Sequence, residues 1–193
     1  MQKKEDLRVH RTKKALADTF MQMLEKKPLD EITINDLCDQ AGIRRATFYK
    51  HYSDKFDFIT SYISFLRDTF DRNYPKSSNQ ITAVEYYVDY AKQLVVYIND
   101  HSVAIDNLLQ SNMFPLVMAI IIEQNYIDTC NRLRMSVQNG MKLSASVEIV
   151  ASMCAGGVAE TVYQWLKRGR DISPNELANQ IGAVVSAALS VSA

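Results

Sequence analysis

The chain has 193 residues, is 47% hydrophobic and 23% charged, and balances 22 Lys and Arg against 22 Asp and Glu. That length and apolar content suffice for one sizeable core, or for a small domain beside a larger one, and exclude a disordered chain. With no net charge, any affinity for nucleic acid or a membrane surface must come from a local patch.

Cys38, Cys130 and Cys154 are far apart, odd in number and without C-x-x-C spacing. The sequence therefore predicts neither a disulfide framework nor a metal site, and no cofactor. No apolar segment follows the N-terminal methionine, and the longest apolar run, FPLVMAIII at 114–122, is about half of the roughly 20 residues that span a bilayer. A cytoplasmic protein without membrane association is expected.

Helical periodicity and helix-start signals recur while strand signals are nearly absent, so the fold class is all-α, with about nine helices. Leu16, Phe20, Met23 and Leu24 form an i, i+4, i+7, i+8 stripe in a first helix of about residues 8–26, stopped by Pro28. Thr33 and Asp36 make an [ST]-x-x-[DE] start for a short second helix, Ile34 to Gln40, ended by Ala41 and by Gly42 at positive φ. A third short helix begins near Arg45, with Phe48 and Tyr52 on one face. Ser53 and Asp54 head a fourth helix. Its stripes, Ile59, Ile63, Leu66 and Phe70 on one side and Phe58, Tyr62 and Phe65 on another, suit a connector between two cores. YPKSSNQ at 74–80 reads as a loop, and Thr82 with Glu85 as a further capping box. Segments at about 102–110 and 114–138 follow, the latter ended by Gly140. A final pair spans 145–168 and 174–191, the second announced by Ser173, Pro174 and Glu176. The organisation expected is a small N-terminal domain at 1–53, with a helix, turn, helix motif at 33–52, and a connector helix with a larger helical domain at 54–193.

Charge concentrates near the start of the chain. Residues 1–14 carry Lys3, Lys4, Arg8, Arg11, Lys13 and Lys14 against Glu5 and Asp6, and residues 44–55 carry Arg44, Arg45, Lys50 and Lys55 against Asp54. The first stretch reads equally as a solubilising tail or as an arm that touches DNA. The second follows helix, tight turn, helix, where one face must pack while the other meets the major groove and flanking residues hold phosphate. Arginine reads guanine bidentately, and lysine and hydroxyl groups suit phosphate or base edges. His51 reads equally as a packing residue or a phosphate contact.

ITINDLCDQAGIRRATFYKHYSDK resembles the DNA-binding region of the TetR family of bacterial transcriptional regulators, through the T-x-x-D/E-L start, the A-G-I turn, the T-F-Y-x-H-[FY] helix and the following lysine. Carried over by position, the resemblance implies backbone contacts from Thr33, Thr47, Tyr49, His51 and Lys55, and a groove-facing set of Arg44, Arg45 and Lys50. Most members place Ser, Thr or Asn where this chain has Arg44, so a hydroxyl N-cap is missing before the third helix.

The later residues hold no H-E-x-x-H, G-x-S-x-G, P-loop or Rossmann glycine pattern, and an enzyme is not expected. The resemblance implies an effector-binding core and a dimer formed by the last two helices. Ala151, Ala155, Ala159, Gly156 and Gly157 put small residues along one helix, and Ala183, Ala187 and Ala188 along the next. Ala155, Gly156, Ala159, Ala183 and Ala187 are the expected dimer interface, against the alternative of a kinked core helix. Tyr62, Phe65, Tyr86, Tyr90, Tyr97, Phe114, Tyr126, Met153 and Trp165 are the candidate effector-pocket residues, against the alternative of plain core. GGVAETVYQWLKRGRDISPNELA, at 156–178, is loosely similar to the subgroup that regulates dihydroxyacetone-kinase operons.

The function expected is a homodimeric repressor that binds a palindromic operator in double-stranded DNA and is released by a small-molecule effector. One alternative is an activator or co-regulator controlled by a protein partner. A second is a helical interaction module without specific DNA binding.

Overall fold

The computed structural model describes residues 2–71 and 83–189. The 74–80 loop and the Thr82 cap lie outside them. The described residues are all-α: α1 (Gln2–Leu24), a 3-10 turn (Leu29–Glu31), α2 (Ile34–Ala41), α3 (Arg45–Phe48), α4 (Lys55–Asp71), α5 (Ala83–Asp100), α6 (Ser102–Leu109), α7 (Phe114–Gln138), α8 (Val147–Lys167) and α9 (Pro174–Leu189). None of these helices alone is long and apolar enough to cross a membrane.

α1 begins at Gln2 rather than near residue 8. Its first residues are charged or polar, but they include strong helix formers, and propensity extends the helix where apolar periodicity gives no signal. The stripe behaves as expected: Leu16, Phe20, Met23 and Leu24 are all buried, each contributing roughly 1.5–3 kcal/mol. Pro28 ends the run, and Leu29 of the 3-10 turn and Ile32 just after it are buried.

Thr33 Oγ1 caps α2 by accepting the Asp36 N–H at 3.1 Å. At the other end Gly42 sits at φ 66°, while its N–H donates to Asp39 O (3.3 Å) and the Ile43 N–H to Cys38 O (2.9 Å). This is a Schellman closure, whose left-handed residue must be free of a Cβ clash. Asp54 Oδ1 caps α4 by accepting from Phe56 N (2.8 Å) and Asp57 N (2.9 Å), and Asp57 reaches back to Ser53 N (2.9 Å).

The chain forms two compact units that are not sequential: residues 1–65 with 101–117, and residues 66–100 with 118–193. α4 contributes to both. In the first unit α6 docks on α1, where Asn107 Nδ2 donates to Leu24 O (2.7 Å). The 3-10 turn is tied to the segment after α6 by Asp30 Oδ2, which accepts from Asn112 N (3.0 Å).

In the second unit α5 packs against α9. A Cβ built on Gly182 would lie 3.1 and 3.2 Å from the two methyl carbons of Val88, so glycine permits that approach. Trp165 is fully buried and donates its indole N–H to Ile172 O (2.9 Å). α8 is capped by Ser146. α9 starts as expected, with Ser173 Oγ accepting from Glu176 N (3.2 Å) and Pro174 at its first position.

Candidate nucleic-acid interface and ligand cavity

The third helix is anchored from one side only. Phe48 and Tyr52 are buried against Phe58, with ring centroids at 5.8 and 5.3 Å, and Phe58 in turn meets Phe20 edge-on at 5.3 Å. Regular helix covers only Arg45–Phe48, yet the hydrogen bonds continue through His51 N and Tyr52 N to Phe48 O (2.9 and 3.0 Å). Arg44 stands at the N-cap in an extended conformation and makes no side-chain cap bond.

The opposite face is open. Arg44, Arg45 and Lys50 are exposed, Tyr49 is 55% exposed, and Thr47 and His51 are half-buried. His51 packs its ring 6.2 Å from Tyr52. Lys13 of α1 lies 6.0 Å over the Tyr52 ring, which keeps one cation of the N-terminal stretch beside the motif.

Two of the residues expected to touch DNA are engaged internally. Thr33 Oγ1 accepts at the α2 cap, and a side-chain hydrogen bond from Thr33, followed by one from Lys27, holds the Asp36 carboxyl below its ordinary range. Lys55 is half-buried, and its ammonium donates to Leu29 O of the 3-10 turn. Burial pushes the Lys55 ammonium below its ordinary value, partly offset by Asp30. Its side chain thus ties the head of α4 to the turn before α2.

The second unit holds a cavity of about 40 Å³. Arg67 from α4, Tyr86, Tyr87 and Tyr90 from α5, and Asn125 and Asp128 from α7 line its polar side, with Ala155 and Val158 of α8 and Val185 of α9 completing the wall. Arg67 donates to Gln124 O (2.7 Å) and pairs with Asp128 (2.8 Å). Asp128 also holds Arg132 (2.9 Å), whose guanidinium lies 3.7 Å over the Tyr86 ring. Tyr87 points its hydroxyl at Thr129 O (3.5 Å), and burial pushes its phenol far above the ordinary value.

Of the nine aromatic and methionine candidates, Tyr86 and Tyr90 line this cavity. Tyr62, Phe65 and Phe114 belong to the first unit, where Tyr62 packs on Phe20 at 5.1 Å. Tyr97 meets Phe70 edge-on at 5.6 Å, Tyr126 is half-buried, Trp165 is core, and Met153 is 71% exposed. Sequence reasoning passed over Arg67, although a cation beside Leu66 and near Phe70 of the apolar stripe was the available signal.

The small residues of the last two helices divide between faces. Ala155 and Ala159 are buried within the unit, Gly156 is half-buried, and Ala183 and Ala187 are exposed. Ile149, Met153 and Val184, on the same two helices, are exposed at 55%, 71% and 70%.

A helix-turn-helix with one buried aromatic face and one open cationic face, on an all-α body, defines the class of helical DNA-binding regulators. Comparison narrows this. Residues 85–187, more than half of the chain, match the TetR_C_8 family model, the C-terminal region of a transcriptional regulator, and the protein belongs to the TetR family of transcriptional regulators. An uncharacterised HTH-type transcriptional regulator of Bacillus subtilis strain 168, YxbF, is 43% identical over 63 residues, which are 32% of this chain but only 17% of that protein. Among solved structures, the dihydroxyacetone kinase operon activator DhaS aligns with TM-score 0.58 at 15% identity, over 92% of this chain and 96% of that one. FadR of Bacillus subtilis in complex with stearoyl-CoA aligns with TM-score 0.63 at 17% identity, over 91% and 98%. At these identities the two structures share the fold. The family is one of DNA-binding transcriptional regulators, not enzymes.

Proposed function

We propose that the protein is a cytoplasmic homodimeric repressor that binds a palindromic operator and leaves it when a small molecule occupies the second unit. The observation that carries the DNA half is the open face of the third helix. Arg44, Arg45 and Lys50 stand exposed beside Tyr49, on an element whose other face is fixed by Phe48 and Tyr52. In this reading Arg44, Arg45 and Lys50 meet base edges or phosphate, and Thr47, Tyr49 and His51 hold backbone. Thr33 and Lys55, engaged internally, keep the motif in shape.

Pairing is supported by the exposed apolar strip of Ile149, Met153 and Val184 beside Gly156, Ala183 and Ala187, a face of low relief that suits close helix approach. Ala155 and Ala159 support it from beneath. A dimer sets two recognition elements to a groove repeat of about 34–36 Å. Effector release is then a coupling free energy, with ligand favouring a dimer geometry that no longer matches that repeat, and α4, which contributes to both units, carries the change.

The cavity supports a small ligand and argues against a long acyl chain such as the one FadR holds, because about 40 Å³ has no room for it. The fold shared with DhaS, named as an operon activator, supports the second reading, an activator answering to a protein partner. The two differ in sign: deleting the gene raises target expression for a repressor and lowers it for an activator.

The direct test is operator binding by the wild type, Tyr49→Ala and Lys50→Met. Loss of a base or phosphate contact costs about 1–3 kcal/mol, roughly 5- to 150-fold in affinity. Equal binding by all three proteins, or none in the wild type, would leave a helical interaction module without specific DNA binding.

A further inference from the structure

Arg67, which lines the cavity of the second unit, keeps one donor without a partner among the described residues. The Arg67 side chain is 15% exposed and pairs through Nη2 with Asp128 at 2.8 Å, while Nη1 donates to Gln124 O at 2.7 Å. Its Nε is buried and donates to no described group. A guanidinium offers Nε–H and the adjacent Nη–H as a parallel fork spaced for the two oxygens of a carboxylate. Asp128 is bonded to only one tooth of that fork and has a second partner of its own, Arg132 Nε at 2.9 Å.

Around the fork stand the hydroxyls of Tyr90 and Tyr87. Tyr90 Oη lies 3.4 Å from Asn125 Oδ1 and Tyr87 Oη 3.5 Å from Thr129 O, both at the long limit of a hydrogen bond. Val158 and Val185 supply apolar wall. The space of about 40 Å³ equals roughly three water-sized groups, enough for a carboxyl with one or two attached carbons and too little for an aromatic ring.

We infer that this cavity takes a short-chain carboxylate, whose two oxygens occupy the Nε–Nη2 edge of Arg67 and displace Asp128 onto Arg132. The inference rests on the effector reading above and names its ligand class. Arg67 lies on α4, so exchanging Asp128 of α7 for a free ligand releases a bond between those two helices within the second unit. So small a ligand is capped at about micromolar affinity, and binding on the order of millimolar or tighter is expected.

The test uses the full chain in chloride buffer, free of carboxylate, with calorimetric titration and thermal melting. Propionate, propionamide and octanoate are the probes, and Arg67→Lys and Asp128→Asn the variants. Propionate should bind saturably and raise the melting temperature, with propionamide at least tenfold weaker. Arg67→Lys, which keeps the charge but loses the fork, should melt cooperatively and lose at least tenfold for propionate, whereas Asp128→Asn, which removes the competing carboxylate, should bind it more tightly. Equal affinity for acid and amide, no binding of propionate, or full affinity in Arg67→Lys would overturn the assignment, and tighter binding of octanoate than propionate would overturn its size limit. The regulator reading is separated by repeating the operator titration with propionate present. Propionate binding that leaves operator affinity unchanged retains the ligand class and removes the effector role; operator binding by a protein that ignores propionate does the reverse.

Discussion

Lys55 offers the sharpest contrast between a residue that touches DNA and one that holds the motif. In Lys55→Met the ammonium that donates to Leu29 O is replaced by a side chain of similar length with no donor. Leu29 O also accepts the Ile32 N–H at 3.2 Å, so the variant strips one of its two donors rather than orphaning it, and the loss is that of one charge-assisted hydrogen bond, about 1.5–3 kcal/mol. The ammonium is itself desolvated, its charged form being disfavoured by burial, so removing it returns part of that cost. A net destabilisation of about 1–2 kcal/mol is expected. For a chain of this size each kcal/mol shifts Tm by roughly 2–4 °C, so a fall of about 2–8 °C should appear in a thermal melt. The companion assay is operator affinity across a salt series. Each lost phosphate contact reduces the log–log slope by about 0.9, and Lys55→Met should leave the slope unchanged while Lys50→Met reduces it. An unchanged Tm together with a reduced slope in Lys55→Met would show that its ammonium serves phosphate rather than the turn, and the positioning argument would be wrong.

Other changes separate local structure from function. Arg44→Ser supplies the hydroxyl cap that the third helix lacks and should raise stability by about 0.5–2 kcal/mol while weakening operator binding; tighter binding in the variant would count against a contact from Arg44. Gly182→Val should cost about 1–3 kcal/mol, because both Val88 methyls already crowd that position and a β-branched side chain on a helix turns away with difficulty. Gly157→Ala meets nothing within 4 Å and should gain up to about 1 kcal/mol; denaturant melts that gave both variants the same sign would refute the close approach of α5 and α9. For Tyr87, burial raises the folded phenol above its ordinary value, so above about pH 10 the folded state holds a proton the unfolded chain releases. The stability this contributes is fully present below pH 10 and lost as pH rises further, and wild type should lose more stability than Tyr87→Phe between about pH 9 and 11.

Where the sequence proved legible, the signal was local. The stripe from Leu16 to Leu24, the Thr33 cap, the left-handed Gly42, the inward pair Phe48 and Tyr52, and the Ser173–Pro174–Glu176 start all depend on neighbours within a few residues. They fix the elements and the face that the third helix leaves open. What escaped depends on distant partners. Lys55 reads from the sequence as a DNA-backbone contact, and nothing in the sequence signals that Leu29, 26 residues earlier, supplies a carbonyl for its ammonium. Residues 101–117 read as part of the larger domain, yet Asn107 bonds Leu24 O, and Asp30 accepts from Asn112, so they pack with the first unit. Aromatic spacing marks a helix face as buried without telling cavity wall from core: Tyr90 and Tyr97 both pack on Phe70, yet Tyr90 lines the cavity with Tyr86 and Tyr97 does not. The small residues of α8 and α9 were similarly ambiguous, since Ala155 and Ala159 pack inward while Ala183 and Ala187 stay exposed.

The central claim is that the open face of the third helix reads DNA. It is tested most directly by selecting duplexes from a random pool with the wild-type protein and measuring its affinity for the selected and scrambled sequences at fixed salt. The account predicts a palindromic sequence, bound by two protomers at least about 10³-fold more tightly than scrambled duplex, with most of that preference lost in Arg45→Met. No enrichment, or equal affinity for selected and scrambled DNA, would contradict it.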